Sequence, residues 1–180
     1  YPLAPVSTPD YMILVYAYND SMNCIYKDSI MVYPKDIPLT HPQIKMQVSI
    51  LQAIAAKDIL LHVPYHDFNI FVRLLQEASI DPRVTEVCLT VYRVASNSKV
   101  INALINAARN GKTVKVVIEL QARFDEEANI YWSRKLEEVG AQVFFGVPNL
   151  KVHAKLLSIA RKEGKKINYY SCISTGNFHE

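Results

Sequence analysis

An α/β fold is what this 180-residue sequence predicts: a mostly parallel sheet flanked by helices, with an antiparallel hairpin at the end and an incomplete extended and helical segment in front. Three observations predict it. From Lys57 onward, short apolar β-branched runs alternate with helix-length amphipathic segments, the rhythm of strands joined by crossovers. Glycines stand just past the helical segments, at Gly111 and Gly140, where a left-handed turn closes a helix. Near the end, two strand-like runs are joined by Lys162-Glu163-Gly164-Lys165-Lys166, too short for a crossover and suited to a hairpin.

Residues 1–56 differ from the rest. Pro2, Pro5, Pro9, Pro34, Pro38 and Pro42 interrupt them. Tyr11 to Tyr18 reads as a strand, Ser29 to Tyr33 as another, and Leu39 to Pro42 as a linker. Gln43 to Ala56 has helical spacing through Ile44, Val48, Leu51 and Ile54. The regular domain is expected from residue 57 to 180. Ile59 to Val63 reads as a strand and His66 to Ala78 as a helix, with Asp67 near its start and Phe71, Leu74, Leu75 and Ala78 facing inward. Val84 to Tyr92, Thr113 to Leu120 and Ala141 to Val147 read as buried strands. Ser98 to Asn110 and Asp125 to Val139 read as helices, the second with Asp125, Glu126 and Glu127 in its first turn. Trp132 and Tyr131 are expected to pack that helix. Leu150 to Arg161 and Ile167 to Ser174 form the hairpin.

Half the residues are hydrophobic and 21% are charged, which excludes a disordered chain. A net charge of +3 is too mild to suggest nucleic-acid binding. Cys24, Cys88 and Cys172 lack metal-ligand spacing, and Cys88 and Cys172, in apolar strand-like runs, read as buried free thiols, which fits a reducing compartment. The sequence has no signal peptide and no membrane-spanning apolar run of about 18 residues. Tyr1 at one end and a glycine motif just before Glu180 at the other suggest a piece of a longer protein.

The chemistry concentrates near Leu150-Lys151-Val152-His153-Ala154-Lys155. In an extended chain Lys151, His153 and Lys155 share one face. Two ammonium groups there can neutralise phosphate oxygens while an imidazole nitrogen approaches phosphorus. The predicted topology brings more to the same edge: Arg93 and Arg123 just past two parallel strands, and Ser174-Thr175-Gly176-Asn177 at the end of the hairpin. Ligands of open α/β sheets bind at that carboxyl edge, and arginine forks with lysine charges suit phosphate. Each piece alone has a plain structural reading: a solvated strand face, a snorkelling Arg93, a local ion pair at Arg123, a common turn at Gly176. His62 and His66 could line the edge or serve structure, and His41 carries no signal.

The sequence resembles polyphosphate kinase. The resemblance rests on Lys57-Asp58-Ile59-Leu60-Leu61-His62-Val63-Pro64-Tyr65, Val91-Tyr92-Arg93-Val94, Leu150-Lys151-Val152-His153-Ala154-Lys155 and Ser174-Thr175-Gly176-Asn177-Phe178, and above all on the string from Glu119 to Ile130 that begins Glu119-Leu120-Gln121-Ala122-Arg123-Phe124-Asp125. It implies that residues 57–180 are a truncated first phospholipase D-like catalytic domain and that residues 1–56 end a preceding region. It implies that His153 is the phosphohistidine nucleophile, with Lys155 catalytic beside it. Arg93, Arg123, Lys155 and Asn177 would bind phosphate, Arg93 and Arg123 at a magnesium–phosphate site. An arginine has no acceptor atom, so both would hold phosphate oxygens beside Mg²⁺ rather than ligate it. The implied partners are ATP/ADP and inorganic polyphosphate, with no nucleic acid and no membrane span. The full-length enzyme would be a homo-oligomer, cytoplasmic or associated with a membrane surface, and this piece alone inactive. Phospholipases of this fold usually place an aspartate after the lysine with four residues between the two. Ala160 stands there, which counts against phosphodiester hydrolysis. Two other readings stay open: a phosphodiesterase or nuclease using His153, and a non-catalytic polyanion-binding module using Lys151, Arg161, Lys162, Lys165 and Lys166.

Overall fold

The computed structural model describes residues 11–18, 24–32, 37–44, 48–95, 97–119, 126–146 and 152–178, with side chains from Ile37 onward except Glu126. The chain divides into two compact units, Tyr1–Pro38 and Leu39–Glu180, a division ahead of the boundary the sequence suggests at residues 56 and 57. In the first unit, β1 (Tyr11–Tyr18) and β2 (Cys24–Val32) form an antiparallel ribbon with a register shift at Ala17/Tyr18. Strand β2 begins before the expected Ser29, because pairing with β1 carries the polar Lys27 and Asp28 along.

The second unit follows the order α1 (Ile50–Ala56), α2 (Asn69–Ile80), β3 (Val84–Val91), α3 (Lys99–Arg109), β4 (Thr113–Ile118), α4 (Glu126–Glu138), β5 (Gln142–Phe145), β6 (Lys155–Glu163) and β7 (Lys166–Ser174). Its five-stranded sheet has the order β5-β4-β3-β6-β7. Strands β3, β4 and β5 are parallel, and β6 and β7 run antiparallel beside β3. Alternate residues put Val87, Leu89, Val91, Val114, Val116, Ile118, Leu157 and Ile159 into one core. Helix residues Leu51, Phe71, Leu75, Ile101, Leu104 and Leu136 fill its other side. Helix ends follow their caps. The Ser98 hydroxyl accepts from the Ile101 N–H at 3.1 Å, and Gly111 and Gly140 take positive φ past α3 and α4.

Several expected boundaries move. Ile59 to Val63 is not a strand. Its alternation is real, with Ile59 and Leu61 packed on the core and Leu60 83% exposed, but the segment joins no ladder. His66 belongs to a bridge with Leu39, so α2 begins later, at Asn69, where the Asp67 carboxylate accepts from the Asn69 N–H at 2.9 Å. Helix α1 starts at Ile50 rather than Gln43. Glu77 of α2 fixes that start by accepting from the Ile50 N–H at 2.7 Å and from the Ser49 hydroxyl. Strand β6 starts at Lys155 rather than Leu150. Cys88 and Cys172 are half-buried rather than fully buried, and burial pushes both thiols up from the ordinary value. Trp132 packs in the core, but Tyr131 is exposed. His41 is buried, accepts from the Gln43 N–H and meets His66 edge-on.

Candidate active site

The parallel strands β3 and β4 end side by side at Val91 and Ile118. One residue further, the Glu119 N–H donates to the Val91 carbonyl at 3.0 Å and prolongs the pairing. Strand β6 begins at the same edge and β7 ends there, with Lys155 opposite Ser174. A rim is thus assembled from four chain segments.

Thr90 decides where β6 leaves β3. Its hydroxyl donates to the Ala154 carbonyl at 2.7 Å and accepts from the Leu156 N–H at 2.9 Å. The side chain takes up groups that a ladder would otherwise use, so residues 152–154 diverge toward β4 instead of continuing the strand. There the Val152 N–H donates to the Glu119 carboxylate at 2.9 Å. His153 follows, exposed at the rim.

Lys155 is only 6% exposed, yet its ammonium is well held. It donates to the His153 carbonyl at 2.7 Å, lies 3.1 Å from His153 Nε2 and sits 5.2 Å from the centroid of the Tyr92 ring. Tyr92 also meets the imidazole edge-on, with ring centroids 5.0 Å apart. An ammonium has no lone pair to offer, so Nε2 can accept in that contact only in the ring form with its hydrogen on Nδ1. In that form the nitrogen facing Lys155 carries the lone pair that a nucleophile needs.

The remaining expected residues fall as follows. Arg93 is exposed directly after Tyr92. Asn177 is half-buried beyond β7, its Oδ1 buried and without a donor among the described residues, while Phe178 anchors the segment by stacking on Phe71 at 4.3 Å. Arg123 and Lys151 lie outside the described residues. A cleft of about 340 Å³ borders residues 172–178 and includes His62, whereas His66 lies against His41. Among the described residues, no three His, Cys, Asp or Glu side chains converge as a cation cage.

The sequence gives little warning of Thr90, Glu119 and Asn129. Glu119 is 5% exposed and Asn129 is fully buried in α4. The Asn129 amide donates to the Tyr92 carbonyl at 3.2 Å and to the Glu119 carbonyl at 3.0 Å. The one available signal is a carboxylate closing an otherwise apolar strand, a placement that is costly unless the charge is used.

Residues 49–180 match the family described as polyphosphate kinase C-terminal domain 1. A polyphosphate kinase of Vibrio cholerae is 53% identical over 143 residues, covering 79% of this chain and 20% of that protein. One from Vibrio parahaemolyticus is 57% identical over 129 residues, covering 72% and 18%. The crystal structure of polyphosphate kinase from Porphyromonas gingivalis superposes with a TM-score of 0.72 at 42% identity, over 83% of this chain and 25% of that one. The chain thus spans about a fifth of the length of these curated relatives. With most of its length matched, the chain belongs to the polyphosphate kinase family.

Proposed function

We propose that this chain supplies the phosphoryl-accepting histidine of a polyphosphate kinase, which transfers the γ-phosphoryl group of ATP reversibly to inorganic polyphosphate. The observation that carries the reading is the contact between Lys155 Nζ and His153 Nε2 at 3.1 Å, on the sheet edge where α/β folds bind ligands. The Nε2 lone pair attacks the γ-phosphorus in line. The N–P bond forms, the bond to the bridging oxygen breaks, and ADP leaves with that electron pair. A terminal oxygen of the polyphosphate chain then attacks the same phosphorus, and the N–P electrons return to Nε2. Splitting one transfer into two steps is ordinary nucleophilic catalysis. Charge spreads over the phosphoryl oxygens in a loose transition state, so fixed cations contribute most. Lys155 is placed to turn from Nε2 to an incoming oxygen, while Arg93, Arg123 and Asn177 hold the others.

Mg²⁺ belongs to the substrate in this reading, carried on nucleotide phosphate oxygens. The described residues contain no carboxylate or imidazole cluster to cage it, and arginine cannot ligate it. Residues 57–180 would form most of the first phospholipase D-like domain and residues 1–56 the end of a preceding region. Further nucleotide contacts and a homo-oligomeric, cytoplasmic setting belong to the full-length enzyme. Diester hydrolysis is the weaker reading, since buried Ala160 occupies the phospholipase aspartate position.

Labelling the full-length enzyme with γ-³²P ATP tests the assignment. Acid-labile label is expected on the peptide containing His153 and should vanish in His153→Ala. Label retained in that variant refutes it.

A further inference from the structure

Glu119 and Asn129 form one hydrogen-bonded unit joining the segments that carry the proposed phosphate-handling groups. The Asn129 amide holds the Tyr92 carbonyl, one residue before Arg93, at 3.2 Å. The same amide holds the Glu119 carbonyl at 3.0 Å and so ties the two side chains into one unit. The Glu119 carboxylate holds the Val152 N–H, one residue before His153, at 2.9 Å. The Glu119 N–H binds the Val91 carbonyl at 3.0 Å, fixing this group to the core. Two partners remote in sequence, the Tyr92 carbonyl and the Val152 N–H, meet on two buried side chains, each one residue from a proposed site residue.

Burial makes these bonds strong and makes their loss costly. A carboxylate 5% exposed at the end of a valine-rich strand gains nothing for the core that an apolar residue would not supply better. We infer that Glu119 and Asn129 are positioning residues: through the backbones of Tyr92 and Val152 they set the distance between Arg93 and His153. The inference rests on the proposed phosphoryl transfer but makes a separate structural claim, that Glu119 anchors the Val152 amide. Neither side chain is asked to touch the substrate.

Full-length enzyme carrying Glu119→Ala, Glu119→Gln or Asn129→Ala tests this. Two quantities are read: the single-turnover rate of labelling at His153 over a range of ATP concentrations, and hydrogen exchange of the peptide containing Val152. Displacing a reacting group by about 1 Å can slow a reaction roughly 10²-fold. Glu119→Ala and Asn129→Ala are therefore expected to slow labelling about 10- to 100-fold at saturating ATP with little change in half-saturation. Glu119→Ala should also speed exchange at Val152. Glu119→Gln keeps an acceptor oxygen for that amide and should recover most of the rate and the protection. A glutamine variant as slow as the alanine variant overturns the inference, because the charge rather than the anchor would then matter. So does Glu119→Ala with unchanged rate and exchange, or a loss confined to half-saturation. Should Asn129→Ala fail to fold, the Glu119 pair decides. Should wild-type enzyme take no label at His153, the catalytic reading falls by itself. Exchange at Val152 then judges the anchor, and unchanged protection in Glu119→Ala overturns it.

Discussion

A buried ammonium is tolerated only where something replaces its water. Lys155 has a carbonyl, an imidazole nitrogen and an aromatic face within reach, the first two on His153 and the third on Tyr92. None of these is a carboxylate, so among the described residues the charge is solvated but not neutralised, a state suited to receiving an anion. Lys155→Met should therefore leave the fold intact, since His153 is exposed and no buried charge is stranded. Labelling of His153 in the full-length enzyme should fall by about 10² to 10³, the usual cost of one transition-state contact. Lys155→Arg should not restore it, because a planar fork cannot take the place of a compact ammonium against the ring. Thermal melting and single-turnover labelling check the two halves. At this scale the pairing of His153 with Lys155 was legible, because alternation alone puts residues two apart on one face. Glu119 and Asn129 were not legible, because their bonds join residues 10, 33 and 37 positions apart and leave no local pattern.

Elements were legible wherever a periodic run was also a pairing run. Helix α3 and strands β3 and β4 lie within one or two residues of expectation, since cap, glycine and apolar pattern agree. Ile59 to Val63 misled because period two reports burial of alternate residues, not the presence of a partner strand. The start of β6 misled because a side chain, not a pattern, ends the ladder. Thr90 makes that prediction testable. Thr90→Val keeps the shape but removes bonds to the Ala154 carbonyl and the Leu156 N–H, and is expected to cost about 1 kcal/mol in a urea titration. Faster hydrogen exchange should accompany the loss at Ala154 to Leu156 and leave β4 unchanged. Uniform acceleration across the sheet would show that Thr90 contributes global stability rather than setting the divergence of β6.

Across the whole second unit, the sheet separates two polar ends with an apolar middle. Strand β6 reaches both, with Lys155 at the proposed catalytic rim and Arg161 and Glu163 at the far end. That the chain would return antiparallel was readable from its short polar loop. That it would return beside β3 was not readable, since a hairpin signal fixes two strands against each other and says nothing of the third. At the far end, Arg161 donates to Asp81 at 2.9 Å and to Glu163 at 2.7 Å, while the Tyr170 hydroxyl donates to Glu163 at 2.5 Å. The hydrogen bond from Tyr170, followed by that from Arg161, holds the Glu163 carboxyl below its ordinary 4.5. The bond to Glu163 raises the Tyr170 phenol above its ordinary 10.0. A depressed carboxyl contributes stability above 4.5 that is lost as pH falls through the folded value. A raised phenol contributes stability below 10.0 that is lost as pH rises through the folded value. The contact should therefore stabilise the chain between those limits and fade on both sides. Urea midpoints of wild type and Glu163→Gln are expected to differ most in the neutral range, to converge below 4.5 and to narrow above 10.0, where the contact with Arg161 remains. Tyr170→Phe should remove the alkaline narrowing and keep the acid convergence through Arg161. A midpoint difference that persists unchanged into acid would mean that Glu163 acts through packing rather than charge.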